Sequence, residues 1–423
     1  MIFTKLHIAI LGLLFSASIE VLAQDSIQYI LAGGVLNLEK EQIDKNVLIT
    51  ILGNEISNIQ VNPDMSKLSQ YIDLSDYTIL SGLIDCHTHL TGNWYLDEDE
   101  FDEYRLIPAS YGILGTLNAK KTLEAGFTTV RDVHSNYYGD IAIKDAINIG
   151  WIDGPRMFVT GPGLSITGGH GAWGNWMAPQ LELKDNPISV ADGEDEVRKE
   201  VRKHLKFQVD WIKIFATGGF YSYGTTPGAA SYSIEELGIA VEEARKQGRY
   251  VCAHAHGAEG IKNALKAGVK SIEHGTYLDD ECIALFKEKN AYLVMDLKAA
   301  YFDLVETAVN STSKQEYQDI SDRLKKAYDA GVKIAFGTDA GVYPHGRNAE
   351  QFLLMKSAGM KEIDIIKSAT IIAAELLGIE KELGSIKVGK IADIIAVEGN
   401  PLAEIQTLEN VVFVMKDGKV YKK

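Results

Sequence analysis

Cysteine is scarce in this 423-residue chain, which holds only Cys86, Cys252 and Cys282. An odd count spread through strand-like and helix-like text excludes a disulfide framework and implies free thiols. Cys86 and Cys252 read as small core residues rather than ligands. Basic charge is also short. With 42 Lys and Arg against 58 Asp and Glu, the formal net charge of −16 excludes the basic face that a nucleic-acid partner requires. Long hydrophobic runs are missing after the N-terminus, so no later segment has the length of a membrane helix. There is no internal repeat and no low-complexity segment. What remains, at 46% hydrophobic and 24% charged, is the balance of a globular protein able to bury a sizeable core.

The N-terminal text "MIFTKLHIAILGLLFSASIEVLAQ" carries Lys5, an apolar run through Phe15, and "VLA" ahead of Gln24. That is the three-part pattern of a secretory signal over residues 1–23, cut after Ala23. The run is too short to span a bilayer comfortably, and no cysteine follows to take a lipid anchor. The expectation is an exported protein, periplasmic or secreted, without an integral membrane segment after cleavage.

Residues 24–80 read as short strands: "QYILAGGVLNL", "NVLITILGNEISNIQV" and "YTIL". The C-terminal residues 381–423 have the same character, with Asp417-Gly418 as a hairpin turn. Together the two ends suggest one small β-sandwich domain. Between them, residues 81–380 alternate strand with helix: "LIDCHTHL", "FTTVRDV", "RMFVTG", "WIKIFATGG", "YVCAHAHG", "SIEHGT", "AYLVMDL" and "KIAFGTDAG". Eight such strands in sequence favour an α/β fold of the (β/α)8 TIM-barrel type over an open sheet. Ser233 and Glu236 form a capping box that starts a helix ending at Gly248.

Alternate residues of a strand face one way, so His87 and His89 project together and could chelate one divalent ion. The pair alone would also suit a solvated strand. His254 and His256 repeat the arrangement, His274 closes "SIEHG", and Asp339 stands in "GTDAG". All lie at the last residues of a strand, the rim where catalytic groups collect in a barrel. Lys213 sits in "DWIKIFATGG" among apolar neighbours, where a lone ammonium is costly to desolvate. It either pairs with a carboxylate or reaches out of the strand end, or it has taken up CO2 as a carbamate able to bridge two cations.

The order "HTH", Lys213, "HAHG", "EHG", "GTDAG" and "GKIADIIAVEGNPL" resembles the amidohydrolase superfamily over nearly the whole mature chain. "SITGGHG", "KIFATGG" and "GTDAGVYPHGRNAEQ" are nearest its imidazolonepropionase-like branch, which includes dipeptidases cleaving Xaa-Pro or Xaa-Arg/Lys bonds. The resemblance implies that His87, His89 and Asp339 hold one metal, that His254 and His274 hold a second, and that carbamylated Lys213 bridges them. Two Zn2+ ions per subunit suit this donor set, with Mn2+ or Co2+ as alternatives. A metal-bridging hydroxide would attack the amide carbonyl, and Asp339 would take its proton and pass it to the leaving amine.

Other candidates fall outside this set. His170 in "TGGHG" would hydrogen-bond the substrate carbonyl or its oxyanion, or merely pack a loop. His256 would reach substrate or orient a ligand. Tyr221, Tyr223, His345 and Arg347 follow strand ends and could bind substrate, or could be ordinary loop residues. His134 stands where the branch leads one to expect glycine, and His204 reads as solvent-facing on a charged helix. The acids of "NWYLDEDEFDEYR", Asp97 to Glu103, would favour cationic peptides if their loop meets substrate. The partner is a small peptide or amide, and a homo-oligomer is left open. A cyclic-amide or lactone hydrolase is the alternative activity. A mononuclear deaminase would not need Lys213, and a non-enzymatic binding protein would have no reason to keep every ligand position filled.

Overall fold

The computed structural model describes residues 27–96, 105–172, 174–175, 177–178, 180, 187–308 and 311–423. The expected signal at 1–23 and the acids between positions 97 and 103 lie outside the described residues.

Strands from both ends of the chain share one sheet. Its N-terminal members are β1 (Ile27–Asn37), β2 (Gln42–Leu52), β3 (Glu55–Val61) and β4 (Ile72–Ser81). The interior runs on through β5 (Leu83–Thr88), β6 (Phe127–Asp132), β7 (Arg156–Val159), β8 (Leu164–Ser165), β9 (Ser189–Val190) and β10 (Trp211–Phe215). It continues with β11 (Tyr250–Gly257), β12 (Ser271–Tyr277), β13 (Tyr292–Val294) and β14 (Lys333–Ile334). The last strands are β15 (Ile394–Glu398), β16 (Val411–Lys416) and β17 (Lys419–Lys422). Hydrogen bonds order the terminal sheet β17-β16-β15-β4-β1-β2-β3. Ile30, Ile49, Ile51, Ile79, Ile394 and Phe413 form its buried apolar layer, the alternation of each strand turning them to one face. Asp417 (φ 50°) and Gly418 (φ 72°) make the tight turn between β16 and β17, the pair of positive φ angles that a two-residue hairpin of type I′ needs.

The interior strands pair in parallel, as β5-β6-β7 and as β14-β13-β12-β11-β10-β8-β9. Each of the eight strand texts read from the sequence contains one of these strands. The chain passes from β7 to β8 through Gly161-Pro162-Gly163. At the other side of β5, Cys86 N–H donates to Phe336 O (2.8 Å) and Asp339 N–H to His87 O (2.8 Å). The C-terminal ends of β5, β11 and β12 and the segment after β14 thereby come together. Helices with apolar inner faces cover these strands, among them Ile234–Lys246, which opens on the Ser233/Glu236 capping box and carries Leu237, Val241 and Ala244 inward.

Cys86, Cys252 and Cys282 are free and buried, as expected. His204 does not face solvent but is fully buried. On helix Gly193–Lys206 it follows Val197 and Val201 at helical spacing, so it shares their inward face. Its Nδ1–H donates to Thr160 O (3.1 Å), and its Nε2 lies 2.9 Å from Ser189 Oγ.

Candidate active site

The strand ends deliver their polar side chains to a cavity of about 690 Å3. His87 and His89 leave β5 on one face, as period two requires. His89 Nδ1–H donates to the carbonyl of His134 (3.1 Å), which leaves the Nε2 lone pair for the cavity. His87 Nε2 lies 3.3 Å from His89 Nε2. Asp339 Oδ1 completes the triangle at 3.3 Å from His87 Nε2 and 3.0 Å from His89 Nε2. An imidazole lone pair and a carboxylate oxygen this close repel one another unless a cation or a proton stands between them. The donor set fits a divalent cation.

His254 and His274 come from β11 and β12. Their ring centroids are 4.5 Å apart, and His274 is 5.0 Å from His87, which links the two halves of the cluster. His254 Nε2–H donates to Gly218 O (3.2 Å), leaving Nδ1 free to coordinate. His274 Nδ1 pairs with Asp296 at 2.8 Å, leaving Nε2. His256, expected as a substrate contact, also stands within ligand reach: its ring lies 4.6 Å from that of His274, and donor atoms of His254, His256 and His274 fall within 4.8 Å of one another. Its Nδ1 is engaged by Thr276 Oγ1 at 2.7 Å.

Burial keeps these imidazoles in the neutral, metal-binding form, holding His254, His256 and His274 well below the ordinary histidine range. His87 is the exception. Burial also pulls it down, but the Asp339 carboxylate outweighs that and lifts it to about 9. His274 and Asp339 adopt left-handed backbone angles, φ 71° and 57°. Such conformations cost on the order of 1–3 kcal/mol in residues with a Cβ and concentrate where function requires a side chain to be aimed.

Lys213 stands in the middle of β10, almost fully buried, with its Nζ 5.6 Å from the centroid of Phe215. Among the described residues no carboxylate reaches it within salt-bridge distance, so the ion-pair reading of this lysine has no partner here. Its Nζ thus lines the cavity beside the histidines with no counter-ion among the described residues.

Beneath the cluster lies a charged layer that sequence reasoning missed. Arg131 and Glu273 are both fully buried and meet at 2.8 Å, and Glu273 Oε2 stands 3.2 Å from His87 Nδ1. Burial works to raise the Glu273 carboxyl, but the Arg131 guanidinium, with His87 behind it, holds it at about 2. Glu273 stands in the quoted "SIEHG", so the signal was in the motif, one residue before a ligand.

The cavity wall brings in His170, whose Nδ1 is 2.7 Å from Ser222 Oγ, itself held by Gly171 N–H at 2.9 Å. Tyr221 and Tyr223 line the mouth. Tyr221 is 60% exposed overall, yet its hydroxyl end turns in to the Asp303 carboxyl. Burial raises Asp303 to about 6 against the pull of that hydroxyl. Neither Asp296 nor Asp303 was singled out in the sequence. His345 and Arg347, expected to bind substrate, do not line the cavity. His345 is buried behind the ligands, donating Nε2–H to His89 O (3.1 Å). Arg347 faces away into a network with Glu306 and Glu350, at 3.2 and 2.6 Å.

No helix among the described residues is long and apolar enough to cross a membrane. A crystal structure described as a Xaa-Pro dipeptidase with bound methionine in the active site superposes with a TM-score of 0.88 at 39% identity, covering 94% of this chain and all of that one. Ochratoxinase from Aspergillus niger is 35% identical over 371 residues, 81% of this chain and 75% of the relative. The crystal structure of that enzyme superposes with a TM-score of 0.83. Imidazolonepropionase from Symbiobacterium thermophilum is 23% identical over 370 residues, 80% of this chain and 78% of the relative. The amidohydrolase family matches residues 78–421, four-fifths of the sequence and every cluster described above, so the chain belongs to that family and is a hydrolase of amide bonds.

Proposed function

We propose that this protein is an exported dipeptidase of the Xaa-Pro or Xaa-Arg/Lys kind, acting through two divalent ions in a (β/α)8 barrel with a small β-domain at its flank. One observation carries the reading. His87 Nε2, His89 Nε2 and Asp339 Oδ1 converge within 3.0 to 3.3 Å at the floor of a cavity sized for a small peptide. The backbone bonds from Cys86 and Asp339 to their partner segments support barrel closure, and the N-terminal signal pattern supports export.

His87, His89 and Asp339 would hold one ion, His254 and His274 the other, and carbamylated Lys213 both. When bound, Zn2+, or Mn2+ or Co2+ in its place, supplies Lewis acidity at the amide carbonyl and lowers the pKa of a coordinated water. Asp339 Oδ2, which lies outside the ligand triangle, takes up the proton released on attack and gives it to the departing nitrogen. His170, oriented by Ser222, donates to the substrate carbonyl oxygen. Asp303 carries charge on the wall away from the ligand cluster and has no cationic partner among the described residues, which favours a substrate with a positive group. Asp296 steadies His274 from behind.

Metal analysis of the mature protein together with a dipeptide screen tests the proposal. About two ions per chain and turnover of Xaa-Pro or Xaa-Arg peptides are expected. Lys213→Ala should lose one ion and most activity, with partial return in a small carboxylic acid. A single ion per chain, or full activity in Lys213→Ala without additive, would sink the two-metal assignment.

A further inference from the structure

His134 is the residue that departs from the expected glycine after β6, and its side chain lines the cavity without belonging to the ligand cluster. Its ring is held on two sides. Phe215 meets it edge-on with centroids 5.7 Å apart, and His89 does so at 6.0 Å. Its Nδ1 accepts the backbone N–H of Gly163 at 2.9 Å. The donor itself is tightly placed: a Cβ on Gly163 would come within 2.5 Å of Phe215 Cε2 and 3.4 Å of His134 Nδ1, so glycine is needed for the loop to approach.

That contact fixes the tautomer. A backbone amide can only donate, so Nδ1 must carry its lone pair and the ring proton must sit on Nε2. Among the described residues Nε2 has no partner, although His134 is only 9% exposed. An N–H that opens on a largely enclosed cavity rewards a ligand or water that accepts from it.

We propose that His134 is a neutral hydrogen-bond donor to an oxygen of the bound substrate. The inference rests on the peptide-hydrolase reading for its substrate, while the tautomer it requires does not. A locked donor offers nothing to a cationic group and rewards an acceptor, which complements Asp303 elsewhere on the same wall. Two substrate oxygens have the right chemistry, the free carboxylate and the oxygen that gains charge at the scissile carbon.

His134→Asn and His134→Gln separate structure from recognition. Asparagine Oδ1 stands in for Nδ1 and keeps the Gly163 bond but cannot reach the cavity, whereas glutamine Nε2 stands in for the donor. If the donor serves the developing charge, Asn should lower kcat by about 100-fold with KM little changed. If it serves the carboxylate, KM should rise by about tenfold or more, and amidating the peptide's C-terminus should abolish the difference from wild type. In either case Gln should recover part of the loss. Unchanged kcat and KM in Asn, or an equal loss in Asn and Gln, overturns the proposal. Imidazole 15N spectra of the substrate-free protein decide independently of any substrate, because His134 must show a protonated Nε2 and a bare Nδ1. The reverse tautomer refutes the inference even if wild-type protein turns over no peptide, an outcome that would refute the peptidase reading alone.

Discussion

Replacing Arg131 with methionine should cost the fold about 3–5 kcal/mol, because it strands a carboxylate that has no access to water. Arg131 and Glu273 are both 0% exposed, and the guanidinium also donates to Cys86 O (2.7 Å) and Ser271 Oγ (2.9 Å). A second route gives a similar size. Glu273 is held at about 2 in the folded protein, and the gap from an ordinary glutamate near 4.3 corresponds to about 3 kcal/mol. The sign follows. A depressed carboxyl contributes stability that is complete above about pH 4.3 and is lost as pH falls toward 2, so the penalty of Arg131→Met should shrink over that window. Removing both charges in Arg131→Met/Glu273→Gln should be milder than Arg131→Met alone, since no buried charge is left unpaired. Equilibrium urea unfolding of chelator-treated protein, followed by far-ultraviolet circular dichroism, reads the fold without the contribution of bound metal. A single-variant penalty below about 1 kcal/mol, or a double variant as damaged as the single one, would refute the view that this pair is a mutually dependent buried charge couple.

Two further outcomes bear on the chemistry. Asp339→Asn should keep its circular dichroism spectrum and lose about 100-fold or more in kcat, since an amide fills the space without moving a proton; a rise confined to KM would contradict the role. Asp303→Asn should lower kcat/KM for lysine- or arginine-containing dipeptides relative to Xaa-Pro by about tenfold, and the wild-type preference should weaken as salt rises if exposed acids contribute. An unchanged ratio in the variant at every ionic strength would remove Asp303 from substrate selection.

Much of this site is legible in the sequence because strands have period two and end abruptly. His87 with His89, and His254 with His256, announce a shared face, and the glycine after His256 marks where β11 stops. The capping box at Ser233 and the turn at Asp417-Gly418 are equally local signals. What the sequence hides is set by distant packing. Asp303 reaches the cavity only because the segment Phe302–Thr307 packs between the helices Leu297–Tyr301 and Ser311–Asp329, the second of which lies against β12. The Arg131–Glu273 couple joins two strands, β6 and β12, whose text gives no sign of their partner. His204 was misread for a different reason: charged neighbours on helix Gly193–Lys206 masked its spacing from Val197 and Val201, which places it on the apolar stripe. Arg347 looked free because its loop neighbours do not reveal Glu306, which arrives from another segment.

The terminal sheet has a consequence for how the chain is made. β4 is flanked by β1, synthesised before it, and by β15, synthesised long after, and Thr78 Oγ1 donates to Gly399 O across 321 residues of chain. During translation β4 therefore has one edge with nothing to pair, a bare template for stray strands until the ribosome has nearly finished. The protein's two ends therefore find one another only after its whole length has arrived.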